Sequence, residues 1–520
     1  MQNSPNSQTK TDSSLVELLA ENHIFIEQQS DIIEKKSVVI AEQKQRIVIL
    51  EEYLRLERAR LYGKSSEKNP AQGEIFNEAE VEAEENVSAE TNSDALKKKG
   101  GGRKGLSKSL PREQLHINLS DEEKAGAIDT FYTVVKEELD IQPAVVRVIE
   151  HLQEKAVFVE GGKRSIKSAP LPRHPLNQCI ASVSLLAYII VAKYCDALPL
   201  YRLEKILARY GGEISRTSMA NWMIRLAEQL QPIVNLMREH QLQYDYINLD
   251  ETRIQVLKEP DKSVNSDKWM WVSRGGPPDK SCVVFEYDPS RAKAVPLRLY
   301  DGFIGYCQVD GYAGYNAICQ SNEVTRVGCW DHARRKFTDA KKAAANQKGK
   351  KDRQVAKYDI ALSKIGKLYK IEREIKSLSQ EEKYTARQIR SIPVLQDLKV
   401  WLDANVEKID KKSKTGEAIR YAINQWSTLT TYCNDGRLNI SNIEVERAIR
   451  PFAQGRRAWL FADTPKGAKA SAVLYSMIES AKTNDLEPYA YLLALLKRLP
   501  YAETVEEIEA LLPWNVDLQK

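Results

Sequence analysis

A chain of 520 residues is too long for one ordinary core, so several domains of about 100 to 200 residues each are expected. Its net charge of +5 is too small to favour nucleic acid over any other partner. Seven cysteines (Cys179, Cys195, Cys282, Cys307, Cys319, Cys329, Cys433), odd in number and never spaced as CxxC, argue against a disulfide framework and a cysteine-built zinc site, and fit a reducing cytosol. The start is polar and unlike a signal peptide. The longest apolar stretch, 184–192, falls short of the about 20 residues a bilayer requires, so a soluble cytoplasmic protein with no membrane partner is expected.

Residues 1–70 carry a seven-residue repeat, Leu19, Ile26, Ile33, Ile40, Ile47 and Leu54, widened by Leu18, Phe25, Ile32 and Val39. This predicts a long helix burying one face against another helix, as a coiled coil between chains or as an intramolecular pair. Polar residues at the remaining seam positions, Asn22, Gln29, Lys36 and Gln43, argue against a simple leucine zipper. Residues 71–112 read as a linker whose charge reverses: 70–96 hold eight acids and no Lys or Arg, 97–112 seven bases and no acid. Its Gly-rich basic half, with Arg103 and Lys104, suits a phosphate backbone, although an ordinary soluble linker has the same composition.

Residues 113–170 mix β-branched and charged residues around a Gly-Gly turn, a small strand-rich module in which His116 and His151 read as surface histidines. Residues 171–235 read as helices: one from about Leu200, a stop at Gly211 and Gly212, Ser215 as N-cap, and a second helix turning Met219, Trp222, Met223 and Leu226 inward. Helix-turn-helix spacing would bring Arg216 and Asn221 to DNA. Two helices joined by a glycine turn also occur in any helical domain.

Strands take over in 240–344. "YDYINLDET" ends on Asp250, "KWMWVSRGG" and "KSCVVFEYDPS" follow, then a short helix, "FIGYCQVDGYAGY" ending on Asp310, "EVTRVGCW", and a helix from "DHARRKFTDAKKAAA". Residues 345–430, rich in Lys and helix formers, read as a helical insertion. Residues 431–475 return to the core, and 476–520 form an amphipathic helical tail. In 438–463, Glu444 and Glu446 stand among Arg447, Arg450, Arg456 and Arg457 beside a turn at Pro451. One reading is a solvated helix with Glu446 and Arg450 paired, worth about 0.2 to 0.5 kcal/mol. The other is a metal-binding carboxylate among phosphate-binding arginines, which needs partner acids elsewhere.

Asp250 and Asp310 fall at expected strand ends. The order of three strands, helix, strand, helix, strand and helix matches an RNase H-like core, with spacings of 310 − 250 = 60 and 446 − 310 = 136 between the acids. A helical insertion before the last helix accounts for the longer gap. Three carboxylates suit two Mg²⁺ ions in phosphoryl transfer, since Mg²⁺ takes oxygen ligands. Single Asp residues at strand ends also serve as loop caps.

The segments "YINLDET", "QVDGYAGY", "GCWDHARRKF", "VERAIRPFAQGRRAWLFAD" and "SMIESAKTNDLEPYAYLLALLKRLP" together resemble the DDE transposases of the insertion-sequence-66 type, and the resemblance runs in order from about Leu15 to Trp514. It implies an α+β multidomain protein: an RNase H-like mixed β-sheet with flanking helices and a helical insertion, a long N-terminal helix or coiled coil, and a helix-turn-helix-like domain. It implies a transposase that cuts and joins the DNA ends of a bacterial insertion sequence using Mg²⁺ or Mn²⁺. Asp250, Asp310 and Glu446 would be the catalytic metal ligands, and His332, Arg334 and Arg335 would hold DNA phosphate. It also implies assembly as a homo-oligomer on DNA and accessory proteins of the same element.

The chain departs from the family in three places. The paired CxxC motifs usual in the module after the linker are missing, relatives tend to have Asp-Asn-Asn where Ser441, Asn442 and Ile443 stand, and Asp331 replaces a small residue. Two further readings remain: a catalytically inactive DNA-binding protein of a decayed element, and another RNase H-like DNA nuclease.

Overall fold

The computed structural model describes residues 29–30, 32–56, 120, 129, 132–134, 145–160, 163–321, 323–344 and 356–518. The linker bases Arg103 and Lys104 lie outside them. The chain divides into two units, one of 1–77, 172–199 and 219–520, the other of 78–171 and 200–218.

In the second unit, β1 (Lys155–Glu160) and β2 (Lys163–Ser168) pair antiparallel from Lys155 opposite Ser168 to Glu160 opposite Lys163. The unit also holds the helix Leu200–Arg209, which closes at Gly211 with φ of +83°, a conformation glycine adopts without strain. The Gly211 and Gly212 N–H groups donate back to the Ala208 and Leu207 carbonyls, satisfying acceptors of the last turn. Ser215 then caps the next helix, accepting from the Ser218 N–H at 3.1 Å. That helix, Arg216–Gln243, runs for 28 residues with Pro232 inside it. Met219, Trp222, Met223 and Leu226 are all on its buried face.

In chain order the helices of the described residues are α1 (32–56), α2 (Val183–Tyr194), α3 (Leu200–Arg209), α4 (Arg216–Gln243), α5 (Ala294–Leu299), α6 (Asn316–Ser321) and α7 (Trp330–Ala343). There follow α8 (Lys357–Glu374), α9 (Gln380–Ala386), α10 (Ile392–Val406), α11 (Lys414–Asn424), α12 (Trp426–Thr430), α13 (Ile443–Trp459), α14 (Pro465–Thr483), α15 (Pro488–Arg498) and α16 (Val505–Glu509).

The first unit is built on a mixed sheet of β3 (Tyr246–Ile254), β4 (Lys268–Gly275), β5 (Cys282–Asp288), β6 (Gly305–Gln308) and β7 (Val324–Val327) in the order β5-β4-β3-β6-β7. The first three strands form an antiparallel meander, while β6 and β7 join parallel to β3 and to each other. Ile247, Leu249 and Trp271 pack with Leu299, Phe303 and Tyr315 into one core. A second core joins Val327, Trp330 and Phe337 to Ile365, Leu395 and Ile419 of the following helices. The edge strand β5 is covered by α14, whose Ser480 and Ser476 hydroxyls accept from the Val283 and Phe285 N–H groups at 2.9 and 2.8 Å. Covering these donors removes a template for edge-to-edge pairing.

Between α7 and α13 every described element is helical. A five-residue π-helical segment, Arg387–Ser391, interrupts the run between α9 and α10 and buries Arg387 to 2 % exposure. Its guanidinium grips Glu372 at 2.9 and 2.7 Å and donates at 2.8 Å to the carbonyls of Tyr432, Asp435 and Leu438. A buried Arg is tolerated where its donors are all matched in this way. The contact ties the helical segment to the chain leading into α13.

Pro451, expected at a turn, lies inside α13, and Asp250, expected at a strand end, lies within β3 opposite Val272. The stripe of α1 is not buried by the described chain: Ile33, Ile40, Ile47 and Leu54 are each at least half exposed. Its contacts are instead polar, from Arg55 to the Ala343 carbonyl at 2.9 Å and from the Lys414 N–H to Glu52 at 3.3 Å, with Leu56 buried at its end.

Candidate active site

Side chains alternate along a strand, so Tyr246, Asn248, Asp250 and Thr252 share one face of β3, and Ile247, Leu249 and Glu251 the other. On β6 the parallel partners are Tyr246 with Tyr306, Ile247 with Cys307 and Asn248 with Gln308, an offset of 306 − 246 = 60. The Val309 N–H continues the pairing to the Val327 carbonyl at 3.0 Å. The β3–β6 pairing ends at Asn248 and Gln308, and Asp310 lies two residues beyond it, near enough for its charge to act on Asp250.

Beneath these acids lies a buried amide network. The Gln308 Oε1 accepts from the Tyr246 hydroxyl at 2.5 Å and from Asn248 Nδ2 at 3.1 Å, while its Nε2 donates to the Asn439 carbonyl at 2.7 Å. Asn248 Nδ2 also donates to Asn442 Oδ1 at 3.0 Å, and Asn442 Nδ2 donates to the Leu249 carbonyl at 2.8 Å. Asn248 precedes Asp250 by two residues and Gln308 precedes Asp310 by two, the repeat of a strand face. Asn442 precedes Glu446 by four, about one helical turn.

Burial, then the neighbouring charges of Glu251 and Asp310, pushes the Asp250 carboxyl well above its ordinary value, with the Glu251 N–H and Arg291 acting the other way. Glu251 is likewise raised, chiefly by burial, and its side chain is 1 % exposed. It accepts from the Tyr315 hydroxyl and from Arg291 Nε at 2.7 Å, and the Arg291 guanidinium lies against the rings of Tyr312 and Trp269 at 4.0 and 4.6 Å. The Asp310 Oδ1 accepts from the Tyr312 N–H at 2.9 Å.

The two glutamates of α13 part company as a helix of 3.6 residues per turn requires. Glu444 pairs with Arg274 at 3.0 Å and is 37 % exposed, whereas Glu446 is buried to 4 %. Glu446 Oε1 stands 3.8 Å from His332 Nδ1 and 4.0 Å from Cys329 Sγ. Burial, then the Arg335 charge, lowers the His332 pKa, opposed by Asp310 and Asp331. Burial, then Glu446 and Asp331, raises the Cys329 thiol well above its ordinary value. Asp331 accepts from the Tyr369 hydroxyl of α8.

The expected phosphate contacts separate by environment. Arg334, Arg447 and Arg457 are exposed, as are Arg216 and Asn221 on α4, while Arg335 and Arg450 are half-buried. Arg334 also lies over the Tyr369 ring at 5.6 Å. Arg456 departs from the expectation: its Nη1 donates to the Arg253 carbonyl and stands 3.3 Å from Thr252 Oγ1, so it fastens α13 to β3. Burial, followed by the Arg457 and Arg253 charges, lowers its pKa.

Sequence reasoning missed Glu251, Arg291 and Tyr315, and it missed Cys329 as a neighbour of Glu446. The signal for Glu251 was present as a second acid on the opposite face of "YINLDET". Among the described residues no helix is long and apolar enough to cross a membrane.

Comparison with known proteins sets this mixed α/β architecture among the transposases. The Transposase IS66 family matches residues 178–470, more than half of the chain, and the chain belongs to that family. An IS66 C-terminal element matches 476–514, and a region described as Transposase C of IS166 homeodomain matches 49–115. The latter overlaps the segment read above as a linker, and only 49–56 of it lie within the described residues. Similar curated proteins include two from Sinorhizobium fredii. Uncharacterized protein y4qI is 33 % identical over 391 residues, covering 73 % of this chain and 70 % of the relative. Uncharacterized protein y4jD is 30 % identical over 427 residues, 79 % of this chain and 81 % of the relative.

Proposed function

We propose that the chain is a DDE-type DNA transposase with an RNase H-like catalytic core, in which Asp250, Asp310 and Glu446 are the catalytic carboxylates. The observation that carries this reading is the parallel register of β3 against β6, whose last pair, Asn248 and Gln308, stands two residues before each acid, with the amide network drawing the start of α13 to the same strands. A meander followed by two parallel strands, with helices flanking the sheet, supports the same fold.

The donor type suits a hard divalent cation, and among the described residues the three carboxylates stand more than 4.8 Å apart as a set, so side-chain movement would bring them onto one ion. The charge of Asp310 raises the pKa of both Asp250 and Glu251, and the Arg291 guanidinium acts against it on both. Carboxylate oxygens are the ligands Mg²⁺ and Mn²⁺ prefer. Asp250, Asp310 and Glu446 would hold the metal, which when bound supplies the charge stabilisation of in-line phosphoryl transfer. Arg291 and Tyr315 keep Glu251 turned from solvent. The exposed Arg334, Arg447 and Arg457 offer guanidinium groups to DNA phosphate.

The partners follow from this role: DNA as element ends and target, a second copy of the chain through the exposed stripe of α1, and accessory proteins of the same element. Cleavage of DNA carrying the element ends, with Mg²⁺ or Mn²⁺, is the test. Wild type should cut and join, and Asp250→Asn and Asp310→Asn should do neither. Equal cutting by both variants sinks the assignment, and binding without cleavage by wild type would leave a DNA-binding protein of a decayed element.

A further inference from the structure

We propose that Cys329, His332 and Glu446 form a site for a thiophilic divalent cation, Zn²⁺ by ligand type, which overlaps the carboxylate set at Glu446 alone. The sequence argument against a cysteine-built zinc site considered cysteine pairs. The fold instead completes a Cys-x₂-His spacing at the start of α7 with a carboxylate from α13, 117 residues further on.

One ligand atom of each residue lies within 4.8 Å of the other two. With zinc bonds of about 2.0 to 2.3 Å, ligand atoms on a tetrahedral ion stand about 3.3 to 3.5 Å apart. The observed 3.8 Å from His332 Nδ1 to Glu446 Oε1 and 4.0 Å from Cys329 Sγ to Glu446 Oε1 exceed this by about half an ångström, within reach of side-chain rotation. A further observation points to a ligand. His332 Nδ1 is buried without a hydrogen-bond partner, so an imidazole lone pair or proton is unspent beside the carboxylate. The Asn442 N–H donates to Cys329 Sγ at 3.3 Å, a contact that anchors the sulfur beside Glu446. His332 keeps 24 % side-chain exposure, which leaves an approach for the ion and a fourth ligand.

The charges balance. On binding, the Cys329 S–H bond breaks, a sulfur–metal bond forms and the proton leaves to solvent; thiolate and carboxylate together neutralise the dication. Softness separates this site from the all-oxygen pair Asp250 and Asp310: a thiolate and an imidazole favour Zn²⁺, carboxylates alone favour Mg²⁺ or Mn²⁺. Because Glu446 is shared, zinc occupancy would withdraw it from strand cleavage, a consequence that rests on the function proposed above, whereas the site itself does not.

The experiment is titration of the full, chelator-treated chain with Co²⁺ as a spectroscopic stand-in for zinc, followed by displacement with Zn²⁺. One equivalent of Co²⁺ should produce thiolate-to-cobalt charge-transfer absorption and release about one proton. The band should vanish in Cys329→Ser. In His332→Gln, which keeps the thiol, affinity should fall by at least the about 10- to 100-fold typical of losing even an outer-sphere partner. It should survive in Asp250→Asn. No band at saturating Co²⁺, or a band unchanged in both Cys329→Ser and His332→Gln, overturns the site. Unaltered circular dichroism of His332→Gln keeps the test valid if Cys329→Ser does not fold. In a separate arm, one equivalent of Zn²⁺ should suppress Mg²⁺-supported cleavage at least 10-fold. If wild type never cleaves but the band behaves as stated, the transposase reading fails and the zinc site stands.

Discussion

Asn248 and Asn442, 194 residues apart, are joined by a hydrogen bond of 3.0 Å that links the strand bearing Asp250 to the N-terminal end of the helix bearing Glu446. Asn442 also donates to the Leu249 carbonyl at 2.8 Å, and both residues are buried. Removing such a side chain strands its partners away from water, at about 1 to 3 kcal/mol for each group left unpaired. Asn442→Ala should therefore lose about 2 to 4 kcal/mol in urea unfolding, and divalent-metal-dependent cleavage should fall more than folded content does. Asn442→Asp keeps the acceptor but loses the donor to Leu249 and adds a buried charge, so it should be no better. An Asn442→Ala variant within about 0.5 kcal/mol of wild type would show that the network does not hold α13 in place.

Asp250 gives a pH signature. Its folded pKa is raised above the ordinary 3.8 by burial and by Glu251 and Asp310. The native state thus holds a proton that the unfolded chain has already released. The associated stability is present below the ordinary value and is lost as pH rises through the folded one. Asp250→Asn removes that loss. In urea titrations with chelator, the variant's advantage over wild type should grow from about pH 4 upward. Saturating Mg²⁺ should stabilise wild type by about 2.7 kcal/mol at 100 times its Kd, and Asp250→Asn by less. An advantage independent of pH would mean that Asp250 is not electrostatically stressed.

What the sequence made legible were features with local periods. The helical run of α1 and the inward set Met219, Trp222, Met223 and Leu226 of α4 needed only spacing. The 60-residue spacing of Asp250 and Asp310 carried more than it seemed to, because it equals the register offset of two adjacent parallel strands. Pro451 misled, since an apolar helical period continues through it, Ile449 and Phe452 being buried on either side. Arg387, Asn248, Gln308 and the pairing of Cys329 with Glu446 were illegible because each acquires its meaning from a partner distant in sequence or from a buried carbonyl. Glu251 looked like an ordinary neighbour of Asp250 until its opposite face proved buried.

The choice between the two glutamates of α13 is open to a direct comparison. Glu444 is a half-exposed partner of Arg274, so Glu444→Gln should change stability by no more than about 1 kcal/mol and leave cleavage nearly intact. Glu446 is buried next to His332 and Cys329, and Glu446→Gln should lower cleavage by about 10²-fold or more, the scale of several kcal/mol of lost charge stabilisation. Single-turnover cleavage of both variants decides it, and the reverse ranking would move the third carboxylate to Glu444.

The exposed stripe of α1 predicts self-association. Ile33, Ile40, Ile47 and Leu54 repeat every seven residues and stay at least half exposed, while the helix meets its own chain through the polar contacts of Glu52 and Arg55 and through Leu56. A stripe of this period is buried by a second helix of the same kind, and its seam tolerates few charges. Ile40→Glu with Ile47→Glu should shift full-length protein from dimer or higher oligomer to monomer in analytical ultracentrifugation. The thermal transition of the sheet-containing unit should move little, because neither side chain is buried within the chain. Wild type that sediments as a monomer at micromolar concentration, or a double variant with unchanged mass, would exclude α1 as the oligomer seam.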